Sequence, residues 1–201
     1  MATTSTAVRT LYVLVPPSPL FAAHWSLFLP DRHDSAQQSA QQAETTNGRR
    51  IHVSGDRLNG FTLEIVRGYD VNKHQAVSSR QYSIGSIGEQ HLRTQDSMQG
   101  ENANRVWKDE DEGGGYIDNQ PLDDFEQVCV GVKAPGPSLN RVSECCVKGK
   151  PTYKTETKDC QWWIWEVVKA LTRQGILEFV SHGEENASTT PTQRLEAVPK
   201  H

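Results

Sequence analysis

The chain has no C-x-x-C pair, no basic run and no apolar stretch near the ~20 residues a bilayer-spanning helix needs. Each absence removes a class of function. Without a basic run, or aromatics interleaved with Lys and Arg, no nucleic-acid partner is expected. The four cysteines, 129, 145, 146 and 160, lack metal-ligand spacing, so neither a metal nor a cofactor is expected. Adjacent Cys145 and Cys146 cannot bridge each other without strain, and dithiol redox chemistry has little else to rest on. Apolar residues are also scarce. They make up 35% of 201 residues, and mean hydropathy is −0.64, so the packed part should be shorter than the chain.

The net charge is −4 and the pI is near 6.0. The acidic stretch from Lys108 to Gly115 reads as a solvated loop, and its glycines lack the strand-to-helix context of a phosphate loop. "RTLYVLVPPSPLFAAHW" imitates a secretory leader, but Pro16, Pro17 and Pro19 interrupt its apolar run. The expectation is a reduced, cytoplasmic protein with no transmembrane segment. Composition does not indicate its oligomeric state.

Strand patterns cover 10–15, 24–30, 50–56, 61–71 and 80–87, with Trp25, Leu27 and Leu29 alternating against His24, Ser26 and Phe28. A short helix is expected from about Pro121, with Asp123, Asp124 and Glu126 in its first turns. The clearest element follows Asp159. Cys160, Trp163, Ile164, Val167, Val168 and Leu171 fall on one helical face, Asp159 or Thr157 can cap its start, and Gly175 sits where a terminating glycine belongs. "ILEFVS" adds a short strand. Strands followed by helices define an α+β domain, with a mostly antiparallel sheet and a packed C-terminal helix. The expected limits are a disordered tail over 1–9, one domain over 10–181 with loop insertions at about 31–49 and 88–117, and a disordered tail over 182–201.

Cys160 raises the functional question. A buried cysteine on an apolar helix face is commonly a small hydrophobe. At a helix N-terminus, however, unpaired N–H groups favour a thiolate and can hold the oxyanion formed when it attacks a carbonyl. Such chemistry needs a base. Asp159 works against the anion, so a histidine is required. Of seven histidines, His33, His91, His182 and His201 lie in polar segments and His74 follows a strand end. His24 and His52 sit at strand positions, and if those strands pair, both imidazoles face one side.

"HWSLFLPD", then "RIHV", then "DCQWWIWEVV" resembles the circularly permuted papain-like group. That group includes the lecithin:retinol acyltransferase and H-Ras-like suppressor families, the permuted NlpC/P60 enzymes and the PPPDE peptidases. The pattern also resembles small fungal proteins with an early HW and a late CQ-W helix. The resemblance covers residues 10–30, 50–70 and 158–175. It implies a permuted papain-like fold with His24 as base, His52 as its orienting partner and Cys160 as nucleophile. Asp159 and Gln161 stand where those families have Asn and Glu, and "TPTQRLEAVPKH" stands in place of a hydrophobic anchor. Membrane-embedded retinoid or phospholipid substrates are therefore not carried over.

Trp25, Gln161 and Trp162 are the expected substrate contacts. Glu64 is a second possible orienting group, though a solvated strand face suits it better. The expected function is a cysteine-nucleophile hydrolase or acyltransferase acting on an ester, thioester or amide of a small molecule or peptide. The alternatives are a cysteine peptidase or isopeptidase, and a non-catalytic binding module on the same fold.

Overall fold

Alternation along the strands builds the sheet. A computed structural model describes residues 7–17, 23–32, 47–73, 79–93, 106–109, 113–138, 158–179 and 189–200. The strands are β1 (Val8–Val15), β2 (Ser26–Pro30), β3 (Asn47–Asp56), β4 (Gly60–Asp70), β5 (Arg80–Gly88), β6 (Val106–Trp107), β7 (Tyr116–Ile117) and β8 (Leu177–Glu178). They form one eight-stranded sheet in the order β6-β7-β4-β3-β2-β1-β5-β8, and every pairing in it is antiparallel. The helices are α1 (Asp124–Gly131), α2 (Cys160–Arg173) and α3 (Pro191–Glu196). This is the expected α+β architecture. Among the described residues no helix is long and apolar enough to cross a membrane.

The period-2 pattern separates two faces. Leu11, Val13, Trp25, Leu27, Leu29, Ile51, Val53 and Ile65 share one core with Phe125, Val128 and Cys129 of α1 and the inner stripe of α2. Leu14, Phe28, Val66 and Tyr69 form a smaller cluster. The α2 stripe is the expected one: Cys160, Trp163, Ile164, Val167, Val168 and Leu171 are all buried. Burying side chains of this size contributes about 1.5–3 kcal/mol each, which holds the N-terminus of α2 fixed against the sheet. Asp159 caps that end, accepting from the Trp162 N–H at 3.0 Å, and Gly175 takes φ +67° just past the other.

Where the structure departs from expectation, tertiary partners decide. The 1–9 tail ends early: β1 begins at Val8, and Arg9 is buried with Nε 3.0 Å from Glu89. The 31–49 insertion gives way to β3 at Asn47, and Arg49 is 1% exposed. Its guanidinium bonds Asp123 at 2.5 Å and Glu126 at 2.6 Å, and Arg67 of β4 meets the same Glu126 at 2.6 and 2.9 Å. Glu126 is wholly buried between two cations, which clamps α1 onto β3 and β4.

The loop expected over 88–117 contains a 3-10 turn at Glu89–His91 and the β6 and β7 strands. Gly113, Gly114 and Gly115 all have positive φ, and a Cβ on Gly113 would stand 2.2 Å from the Tyr69 ring. The triple glycine lets this hairpin close onto β4. The disordered tail expected over 182–201 is also corrected. Residues 189–200 are folded, with α3 started by a Thr190–Gln193 capping box and Leu195 and Val198 buried in the core of α2. The remaining parts of these segments, and Cys145, Cys146 and residues 139–157, lie outside the described residues.

Candidate active site

Two strands and a hairpin assemble a line of polar groups. His52 of β3 lies directly across from Glu64 of β4. His24 precedes β2, two places from Ser26, the position facing His52 if the Leu27–Ile51 register is extended. The two imidazoles meet edge-on at 88°, with His24 Nε2 3.0 Å from His52 Nδ1. His52 Nε2 is 3.3 Å from Glu64 Oε2, an ion-pair distance without the alignment of a good hydrogen bond. Lys108, brought in by the β6–β7 hairpin, places Nζ 3.1 Å from the same oxygen. Glu64 was the weaker of the two orienting candidates in the sequence. Here it is 16% exposed and completes the line rather than facing solvent.

The charges dictate the tautomers. The close approach of the His52 ring is the main influence holding the Glu64 carboxyl at about 2, well below the ordinary range, with Lys108 adding to it. Glu64 is therefore an anion and can only accept, so His52 carries its proton on Nε2 and leaves Nδ1 bare. His24 must then donate from Nε2, which leaves its Nδ1 as a free base. Burial lowers His24 to about 3, and the neighbouring His52 and Arg50 charges add to the effect. Burial lowers His52 as well, so both rings are neutral at pH 7. Among the described residues His24 Nδ1 has no hydrogen-bond partner.

Cys160 stands at the first position of α2 and is 8% exposed. Burial pushes its thiol above the usual range; the Trp25 N–H opposes this, Asp159 adds to it, and the N–H groups of Gln161 and Cys160 oppose it. The Trp25 nitrogen belongs to the peptide joining His24 to Trp25. The thiol is therefore near the main chain of the residue that follows His24. Asp159 is itself partly neutralised by Arg57, 2.5 Å away.

The other expected contacts divide. Trp25 is a fully buried wall whose indole N–H donates to Pro199 O at 3.0 Å. Gln161 donates from Nε2 to Ala23 O at 2.9 Å and Lys200 O at 3.1 Å. Trp162 is half-buried beneath the Lys158 ammonium, which sits 4.4 Å from its ring. Cys129, the other described free cysteine, is buried with its thiol pushed well up, and sits inside the core. Among the described residues no cluster of His, Cys, Asp or Glu is arranged to hold a metal ion. Sequence reasoning missed the role of Lys108, which opens an acidic stretch that reads as a solvated loop.

The frame that positions these groups is an α+β domain with a thiol at a helix N-terminus and an imidazole pair, His52 on β3 and His24 just before β2. The chain belongs to a family of unknown function (DUF6540), which matches residues 11–178, from β1 to the end of β8. No curated protein and no solved structure matches it.

Proposed function

We propose that the protein is a cysteine-nucleophile acyl-transfer enzyme of permuted papain-like type, with Cys160 as nucleophile, His24 as base and His52 as orienting residue. The observations that support this reading are the line of polar groups Glu64–His52–His24 and a thiol at the start of α2 whose neighbours include the N–H of Trp25, the residue after His24. The thiol is held neutral and so is His24, so the proton moves when the reaction occurs rather than resting in a thiolate–imidazolium pair. His24 Nδ1 takes the Sγ proton as sulfur bonds to the carbonyl carbon of an ester, thioester or amide. The N–H groups of Trp25, Cys160 and Gln161 that favour the thiolate also suit the oxyanion. The intermediate collapses to a Cys160 thioester, and the leaving alcohol, thiol or amine departs with the proton from His24. Water, or an acceptor amine or alcohol, then attacks that thioester and gives its proton to His24, which returns it to Sγ as the C–S bond breaks and the acyl product leaves.

The test is alkylation of each cysteine by iodoacetamide from pH 6 to 9, read by peptide mass spectrometry, in the wild type and in His24→Gln. Cys160 should react faster than Cys129, and more slowly in His24→Gln. Equal rates in both chains would remove His24 as the base. The alternative is a non-catalytic binding module, and the burial of the thiol favours it. In that case Cys160 reacts only as the protein unfolds, together with Cys129.

A further inference from the structure

The segment after α3 is held by the two residues that flank the reacting pair. Ala23 N–H and Gln161 Nε2–H both donate to Lys200 O, at 3.3 and 3.1 Å, and Trp25 Nε1–H donates to Pro199 O at 3.0 Å. The residue before His24, the residue after it and the residue after Cys160 thus converge on two consecutive peptide carbonyls. All the bonds are to main-chain acceptors, so the grip reads polypeptide carbonyls and not side chains. Side-chain anchoring comes from elsewhere: Leu195 and Val198 are buried at 0% and 3% exposure beside α2 and β5. The gripping residues lie within the span matched to the family, and the gripped residues lie beyond it.

We infer that the donors of Ala23, Trp25 and Gln161 form a subsite for a polypeptide main chain, occupied in the resting protein by the carbonyls of Pro199 and Lys200, with Val198 as the apolar anchor of the segment. This rests on the reading of Cys160 as nucleophile, and it narrows the substrate to a polypeptide. The Trp25 side chain is wholly buried with its indole donor satisfied by Pro199 O, and Gln161 bonds both Ala23 O and Lys200 O. An incoming chain that replaces residues 198–200 takes the same donors and lies along the first turn of α2, beside the nucleophile. The segment is therefore also a built-in competitor of the substrate.

The experiment uses the full chain carrying Val198→Asp, which places a carboxylate in the apolar seat of the segment. Iodoacetamide alkylation of Cys160 at pH 8 is expected to rise about tenfold or more, because a local opening has become cheaper, while Cys129 stays protected. Adding acetyl-Ala-Val-Pro-Lys-amide should restore protection of Cys160. Octanoic acid, an acyl chain with no peptide carbonyl, should not. A Cys160 rate equal to wild type overturns the inference, and so does protection by octanoate without protection by the peptide.

If both cysteines accelerate together the variant has unfolded, and hydrogen exchange in the wild type decides. The Ala23 amide should then open at lower free energy than the amide of Ile51, and in step with Cys160 alkylation. Exchange of Ala23 only through global unfolding overturns the inference. His24→Gln in the same background separates the two readings. A Cys160 rate indifferent to His24 ends the enzymatic reading and leaves peptide protection standing as a binding site.

Discussion

Acid should weaken this fold before any carboxylate is protonated, and His24 is the reason. Its ordinary value is 6.5, and in the fold it is about 3. The unfolded chain therefore takes up a proton near pH 6.5 that the native chain refuses until about pH 3. Stability from this group is fully present above 6.5 and falls steadily as pH drops through that window. Integrating the difference, His24 alone removes about 2 kcal/mol between pH 7.5 and 5, a figure that hardly changes for any folded value below ~4. His52 has the same sign, since burial lowers it too. The charged groups facing these rings are Arg50, Lys108 and Glu64, and the first two resist protonation further.

Glu64 stays outside this window, because its stabilising contribution is lost only between 4.5 and about 2. The assay is urea unfolding followed by tryptophan fluorescence at pH 7.5 and 5.0, for the wild type and for His24→Gln, whose amide can still donate to His52. The variant should lose about 2 kcal/mol less than wild type over that interval. Identical losses in the two chains would refute the reasoning, because they would mean that the His24 ring titrates as freely in the fold as outside it.

Other consequences follow from the same geometry. Glu64→Gln offers His52 an amide N–H in place of an obligate acceptor and allows both histidine tautomers to reverse. Turnover of an activated ester at Cys160 should fall by about 10²–10⁴-fold, with the imidazole ¹⁵N shifts of His24 and His52 exchanging character; unchanged shifts would sink the relay. Glu126→Ala leaves the Arg49 and Arg67 guanidiniums in the core without their shared anion. The cost should be about 3–5 kcal/mol, or a fall of about 10 °C in Tm by calorimetry, and a fall under ~2 °C would show that the network is not what holds α1 to the sheet.

What could be read in one dimension was legible. The α2 stripe and the alternation of β2 depend only on spacing, so the buried residues of α2 and the meeting of His24 with His52 could be anticipated. What depends on a distant cover could not. Glu64 is on the polar side of β4, as its alternation implies, but the β6–β7 hairpin closes over that side and brings Lys108 to it. Arg49 looks like part of a polar insertion until Glu126, 77 positions later, reaches it. Only α3 was missed despite a local signal. Thr190, Pro191 and Gln193 are a capping box with proline at the first helical position, hidden within a composition that reads as a tail.

The strongest argument against an enzyme is the burial of its nucleophile, and the folded end of the chain bears directly on it. A thiol that is 8% exposed with its pKa raised suits a core residue. Yet a core has no use for a line of buried polar groups that runs from the Glu64 carboxylate through the imidazoles of His52 and His24, since each such group costs free energy to bury. The cost is more easily understood where the line serves something that arrives. Residues 198–200 already satisfy the donors on either side of the pair, using only carbonyls that any polypeptide possesses. Under the inference drawn from that segment, its displacement is what exposes Cys160, so the alkylation rate of Cys160 in Val198→Asp decides between a sealed core thiol and a covered nucleophile.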